Sequence, residues 1–180
     1  DSSIKYLPYL YWQDKNSAYY FSGGKYKMYN RADEKVSTII SVPEESQNQD
    51  VFMKNKEVAY TIDNNLFMAT NKKDKSVIAK SSDKNIVSGQ AIHRFEFGIS
   101  KGTFWSPSGN ALAFYQKDEI DVADYPLLDI TTTPGSLKSV KYPMAGQKSE
   151  YGKVGVHSIA TGKTIFLQTT GEKDHYLTNL

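Results

Sequence analysis

Short runs in which apolar and polar residues alternate dominate the chain: Ala18-Tyr19-Tyr20-Phe21, Tyr26-Lys27-Met28-Tyr29, Val36-Ser37-Thr38-Ile39-Ile40 and Val58-Ala59-Tyr60-Thr61-Ile62. A period of two sends successive side chains to opposite faces, so each run predicts a β-strand. Between the runs sit clusters that favour tight turns, such as Asp14-Lys15-Asn16-Ser17, Ser22-Gly23-Gly24, Asp63-Asn64-Asn65, Pro107-Ser108-Gly109-Asn110 and Ala160-Thr161-Gly162-Lys163. The connections are therefore hairpins. No stretch of a dozen residues carries helical periodicity, and the best short candidate, Arg94 to Lys101, contains Gly98. Any helix is brief, and the predicted class is all-β.

The runs repeat. Tyr11-Trp12, then Asp14-Lys15-Asn16 and Ala18-Tyr19-Tyr20-Phe21, corresponds to Phe52, Lys54-Asn55-Lys56 and Val58-Ala59-Tyr60-Thr61, and again to Phe104-Trp105, Ser106-Pro107-Ser108-Gly109 and Leu112-Ala113-Phe114-Tyr115. From Ala18 to Ala59 is 41 positions, within the roughly 40 to 50 of a four-stranded propeller blade. From Ala59 to Ala113 is 54, which leaves an insertion of about a dozen residues. Each unit continues with two more strands: Lys25 to Tyr29 and Val36 to Ile40, then Asn65 to Ala69 and Ser76 to Lys80. In the third unit the closing pair arrives only at Val154 to Ser158 and Thr164 to Leu167, after an excursion from Lys117 to Tyr151.

The expected architecture is a partial β-propeller of about three four-stranded antiparallel blades with a short helical insertion. Its units span 1–42, 43–85 and 86–170, with 171–180 opening a further blade. A sandwich or an up-and-down barrel reuses the same hairpins and is the architectural alternative. An open set of blades leaves sheet edges and faces uncovered, so the isolated chain is expected to self-associate.

Composition changes this picture mainly by exclusion. With 39% hydrophobic and 23% charged residues the chain is a folded one, and 13 Tyr, 8 Phe and 2 Trp agree with strands. A net charge of +2, spread along the chain, supplies no basic block for nucleic acid or a membrane surface. No run approaches the roughly 18 apolar residues of a membrane helix, and Asp1 to Leu10 has no export-signal pattern. The absence of Cys removes disulfides, thiolate nucleophiles and cysteine zinc sites. His93, His157 and His175 are scattered, so neither a metal nor a cofactor is expected.

Catalytic patterns are missing as well. No Gly-x-Ser-x-Gly elbow occurs, and no glycine-rich phosphate loop opens a helix, so no catalytic residue is assigned. Asp118, Glu119 and Asp121 could form a cation site but read more simply as a solvated loop. His157, on a strand with Val154 and Val156, reads as a structural histidine. The segment Ile92-His93-Arg94-Phe95-Glu96-Phe97-Gly98-Ile99 stands apart because it falls in the insertion, which the repeat does not require. Glu96, framed by Phe95 and Phe97, would attract a cation such as a primary ammonium where the aromatic neighbours lower the local dielectric. The alternative is that Glu96 pairs with Arg94 or a nearby Lys.

From these residues onward a family resemblance emerges. His93-Arg94-Phe95-Glu96-Phe97-Gly98-Ile99-Ser100-Lys101-Gly102-Thr103-Phe104-Trp105-Ser106-Pro107, Leu112-Ala113-Phe114-Tyr115, Tyr125-Pro126-Leu127, Lys141-Tyr142-Pro143-Met144-Ala145-Gly146 and Ala160-Thr161-Gly162-Lys163-Thr164 resemble bacterial members of the dipeptidyl peptidase IV and prolyl tripeptidyl aminopeptidase family, serine peptidases of the prolyl oligopeptidase type. The resemblance is strong over about Asp83 to Leu180. Before that it rests on blade pattern, with Ala59 to Phe67 the most family-like stretch.

The resemblance implies a serine exopeptidase in two parts, an N-terminal eight-bladed propeller and a C-terminal α/β-hydrolase domain that carries Ser, Asp and His. This chain would be a portion of the first part and inactive alone. It further implies that Glu96, with Arg94 and Phe95 beside it, binds the free amino terminus of a peptide substrate with Pro near the cleavage site. Where dipeptide-releasing members have adjacent glutamates, Glu96 follows Arg94-Phe95, a pattern nearer the tripeptide-releasing branch. Partners implied are that substrate, the hydrolase domain and a second copy in a homodimer, but not nucleic acid, and the implied location is periplasmic or extracellular. The competing readings are a stand-alone β-rich binding module and the propeller of a catalytically dead relative.

Overall fold

The computed structural model of the chain describes Tyr6, residues 8–169, residues 175–178 and Leu180, except for the side chain of Arg94. The predicted alternation forms strands at every run named above. The first sheet is β1 (Tyr11–Trp12), β2 (Ser17–Ser22), β3 (Lys25–Asn30) and β4 (Lys35–Ser41), paired in chain order. The second repeats that order with β5 (Gln47–Phe52), β6 (Glu57–Ile62), β7 (Asn65–Thr70) and β8 (Ser76–Ala79). The third contains β9 (Ile86–Ser88), β10 (Thr103–Trp105), β11 (Ala111–Asp118), β14 (Tyr151–Ser158) and β15 (Thr164–Phe166). Between β11 and β14 a separate hairpin pairs β12 (Asp124–Asp129) with β13 (Ser136–Lys141). All pairings are antiparallel, and the architecture is a partial β-propeller.

Register makes the repeat concrete. Ala18 lies opposite Trp12, Ala59 opposite Asp50 and Ala113 opposite Phe104 on the first strand of each sheet. On their other sides the same alanines face Tyr29, Met68 and Val156. The three sheets are thus built on one template.

Packing follows from the period of two. Val58 and Tyr60 on β6, with Phe67 and Ala69 on β7, turn toward the first sheet and join Tyr19, Tyr26 and Ile40 in one core. Their neighbours Ala59, Leu66 and Met68 turn the other way and meet Leu112 and Phe114 of the third sheet in a second core. Polar clasps hold the sheets in register: Tyr26 Oη donates to Gln49 Oε1 at 2.7 Å, Trp105 Nε1 donates to the Asp50 carbonyl at 3.0 Å, and Thr103 Oγ1 donates to Asp50 Oδ2 at 2.9 Å. The Phe52 and Trp105 rings stack at 5.7 Å across the same seam.

Two points of the sequence reading change. β11 continues through Asp118, opposite Tyr151, so the excursion is 119–150 rather than Lys117 to Tyr151. That excursion carries the β12–β13 hairpin, and β9 is a strand the alternation does not reveal. The expected opening of a further blade at 171–180 lies partly outside the described residues.

Candidate functional site

The candidate site grows from an interruption in one edge of β11. β10 pairs with Leu112 to Phe114 and β9 pairs with Gln116 to Asp118, on the same side of the strand. Tyr115, between them, is bonded by both ends of the insertion: its N–H donates to the Gly102 carbonyl at 2.9 Å, and its carbonyl accepts the Gly89 N–H at 2.8 Å. The chain leaves the sheet at Gly89 and returns at Gly102. Glycine is required at both points. Gly89 has φ +76°, and a Cβ on Gly102 would stand 2.2 to 2.5 Å from backbone atoms of Gln90.

Beyond this neck the insertion has a buried base and an exposed tip. Ile92 is fully buried and packs with Ile99, Tyr115 and Val154 on the face of the third sheet turned away from the second. His93–Gly98 then forms a 3₁₀ helix, the one helical element among the described residues. Its backbone has positive φ at His93, Phe95, Phe97 and Gly98. For the three non-glycine residues this conformation costs on the order of 1 kcal/mol each and persists only where surrounding contacts enforce it.

Those contacts come from distant segments. The buried His93 donates its backbone N–H to Glu150 Oε1, and its Nε2 accepts the Leu177 N–H at 3.0 Å. The Tyr176 ring meets the His93 ring edge-on at 4.6 Å and the Phe97 ring at 5.0 Å. Lys117 Nζ stands 3.6 Å from Glu150 Oε2 and 2.7 Å from Glu119 Oε1. A cleft of about 310 Å³ lies between the insertion and β5, bordered by Asn48, Gln49, Gln90, Phe95, Lys101 and Lys117.

The tip presents Phe95, Glu96 and Phe97 to solvent. Glu96 is exposed, as are Phe95 at 70% and Phe97 at 61%. Arg94 shares their 3₁₀ helix. Phe95 also borders the cleft, so two of the three sequence-assigned residues, Phe95 and Glu96, are adjacent on one exposed surface. The flanking rings, being exposed, do not by themselves remove water from the carboxylate.

The other candidates have structural partners. Asp118 Oδ1 accepts the Ile120 N–H, Glu119 pairs with Lys117, and Asp121 pairs with Lys148 at 3.2 Å. Among the described residues no group of three or more His, Asp or Glu is placed to hold a metal ion. His157 is buried, with Nδ1 2.8 Å from Thr164 Oγ1, and that hydroxyl donates to the Ile78 carbonyl at 3.0 Å. The hydroxyl proton being committed, His157 carries its own proton on Nδ1, and burial holds its pKa below the usual histidine value. Sequence reasoning missed His93, Lys117 and Glu150 as a group. The available signal was weak, a charged residue at each place where the repeat is interrupted.

Among the described residues no helix is long and apolar enough to cross a membrane. The sequence matches the family model described as the dipeptidyl peptidase IV (DPP IV) N-terminal region over residues 7–180. A solved structure of a putative dipeptidyl aminopeptidase IV from Bacteroides ovatus is 44% identical, with a TM-score of 0.81, over 93% of this chain and 23% of that one. Porphyromonas gingivalis dipeptidyl peptidase 4, 19% identical with a TM-score of 0.68 over 93% of this chain and 24% of its own, shares the fold. Among curated proteins, dipeptidyl aminopeptidase B of Saccharomyces cerevisiae is 27% identical over 126 residues, 65% of this chain and 15% of its own length. The chain spans about a quarter or less of each of these relatives. With nearly its whole length matched, it belongs to the family of the dipeptidyl peptidase IV N-terminal region, as the bacterial resemblance of its sequence had suggested.

Proposed function

We propose that this chain is the propeller portion of a proline-specific serine exopeptidase, that it gates the active site, and that Glu96 binds the protonated amino terminus of the peptide substrate. The observation that carries this reading is a carboxylate at the exposed tip of an insertion that leaves its sheet at the first-strand edge. In a propeller the first strands surround the central channel, so an insertion from that edge extends toward what the channel admits. The blade units at 1–42, 43–85 and 86–170, the hydrolase-domain partner, a homodimeric parent and a periplasmic or extracellular location belong to the same proposal.

Magnitude explains the division of labour. A carboxylate and an ammonium 4 Å apart attract by about 1 kcal/mol in open water and about 4 kcal/mol at an effective dielectric near 20. Exposed as it is here, Glu96 alone holds an amine weakly. Enclosure between propeller and hydrolase domain strengthens the pair, while nucleophile, base and oxyanion donors come from that second domain. Held by its amine, a peptide presents a bond at a fixed distance, so the anchor measures the length released.

The test is chromophore release from Xaa-Pro and Xaa-Xaa-Pro anilides by the full-length protein that carries this chain. Release from free-amine substrates is expected, and the preferred length decides between dipeptide and tripeptide removal. No release from either would transfer the assignment to a binding module or a catalytically dead relative.

A further inference from the structure

We propose that Glu150 is a positioning residue that fixes the insertion from beneath, with Lys117 as its counter-ion. Glu150 ends the 119–150 excursion, directly ahead of β14, and is 8% exposed. Its Oε1 accepts the backbone N–H of His93, 57 residues away in sequence, and lies 3.6 Å from His93 Nδ1. Its Oε2 faces Lys117 on β11, which Glu119 holds in turn. One carboxylate thereby joins the insertion, the sheet and the excursion.

The surroundings are shaped for this contact. Lys117 stands opposite Gly152 in the β11–β14 register, and a Cβ at Gly152 would come within 3.2 Å of Leu177 and 3.3 Å of Ile92. The missing side chain lets the insertion base lie against the sheet beside the carboxylate. Because Leu177 N–H occupies Nε2 of His93, a neutral ring carries its proton on Nδ1, toward Glu150. A carboxylate this buried is tolerable because a backbone donor and an ammonium share its charge. Without it, the His93 N–H loses its acceptor at the residue where the positive-φ turn begins. The turn then has less to enforce it, and the tip that carries Glu96 moves.

The effect on substrate rests on the reading of Glu96 above; the positioning itself does not. The experiment uses the full-length protein and two readouts, amide hydrogen exchange over residues 92–100 and the KM for a free-amine anilide. Glu150→Ala is expected to speed exchange of that segment about tenfold, leave β6 unchanged, and raise KM more than it lowers kcat. Glu150→Gln, which keeps the size and an acceptor oxygen, is expected to give a smaller rise and serves as the test should the alanine variant not fold. Unchanged exchange in the folded variants would overturn the proposal, even if Glu96→Gln raises KM. Faster exchange with unchanged KM would sustain the positioning and remove the role given to Glu96.

Discussion

The second sheet and the inner edge of the third use the same strand template to opposite ends. In the second sheet β6 has five of its six residues buried, because Val58 and Tyr60 face one neighbouring sheet and Ala59 faces the other. In the third, the strand beside β11 is split at Tyr115, and the chain between the two pieces ends in an exposed tip. Two-sided burial leaves no room for a ligand, whereas the break in a strand edge supplies one at the cost of three strained residues. Stability resides where the period of two is unbroken, and the candidate chemistry where it is interrupted.

The comparison breaks most severely in the second sheet. Tyr60 is fully buried, stacks on Phe67 at 5.9 Å and donates its hydroxyl to the Asp74 carbonyl at 2.8 Å. Tyr60→Ala is expected to cost about 3 to 5 kcal/mol, seen as lost soluble full-length protein and a lowered thermal midpoint. A smaller and more local effect is expected at the neck. Gly102→Ala forces a methyl group onto the Gln90 backbone at a cost of about 1 to 3 kcal/mol. Proteolysis within residues 90–101 should quicken while β6 stays protected. Equal damage to both regions would deny that the insertion is a separable device.

Much of this fold was legible because each of the three larger sheets is packed on at least one face. Burial on both faces wrote itself into the nearly continuous apolar run Val58 to Ile62, and the matching alanines gave the repeat. The β12–β13 hairpin was not legible. Leu128 and Leu137 lie directly opposite each other yet are exposed, so no inside and outside alternate along it. β9 is three residues long and is defined by its pairing with Gln116 to Asp118, which nothing local announces. At the site, Glu96 could be singled out because it lies in an insertion between repeated units. Glu150 could not, since its bond to His93 depends on two excursions from different places meeting over one sheet.

The central claim is that Glu96 reads a free amino terminus. It is tested most directly by the ratio of kcat/KM for a free-amine anilide to that for its amine-acetylated form, in the wild-type full-length protein and in Glu96→Gln. The account predicts that the substitution lowers this ratio by about tenfold or more, through KM for the free-amine substrate. An unchanged ratio, with both substrates affected alike, would contradict it.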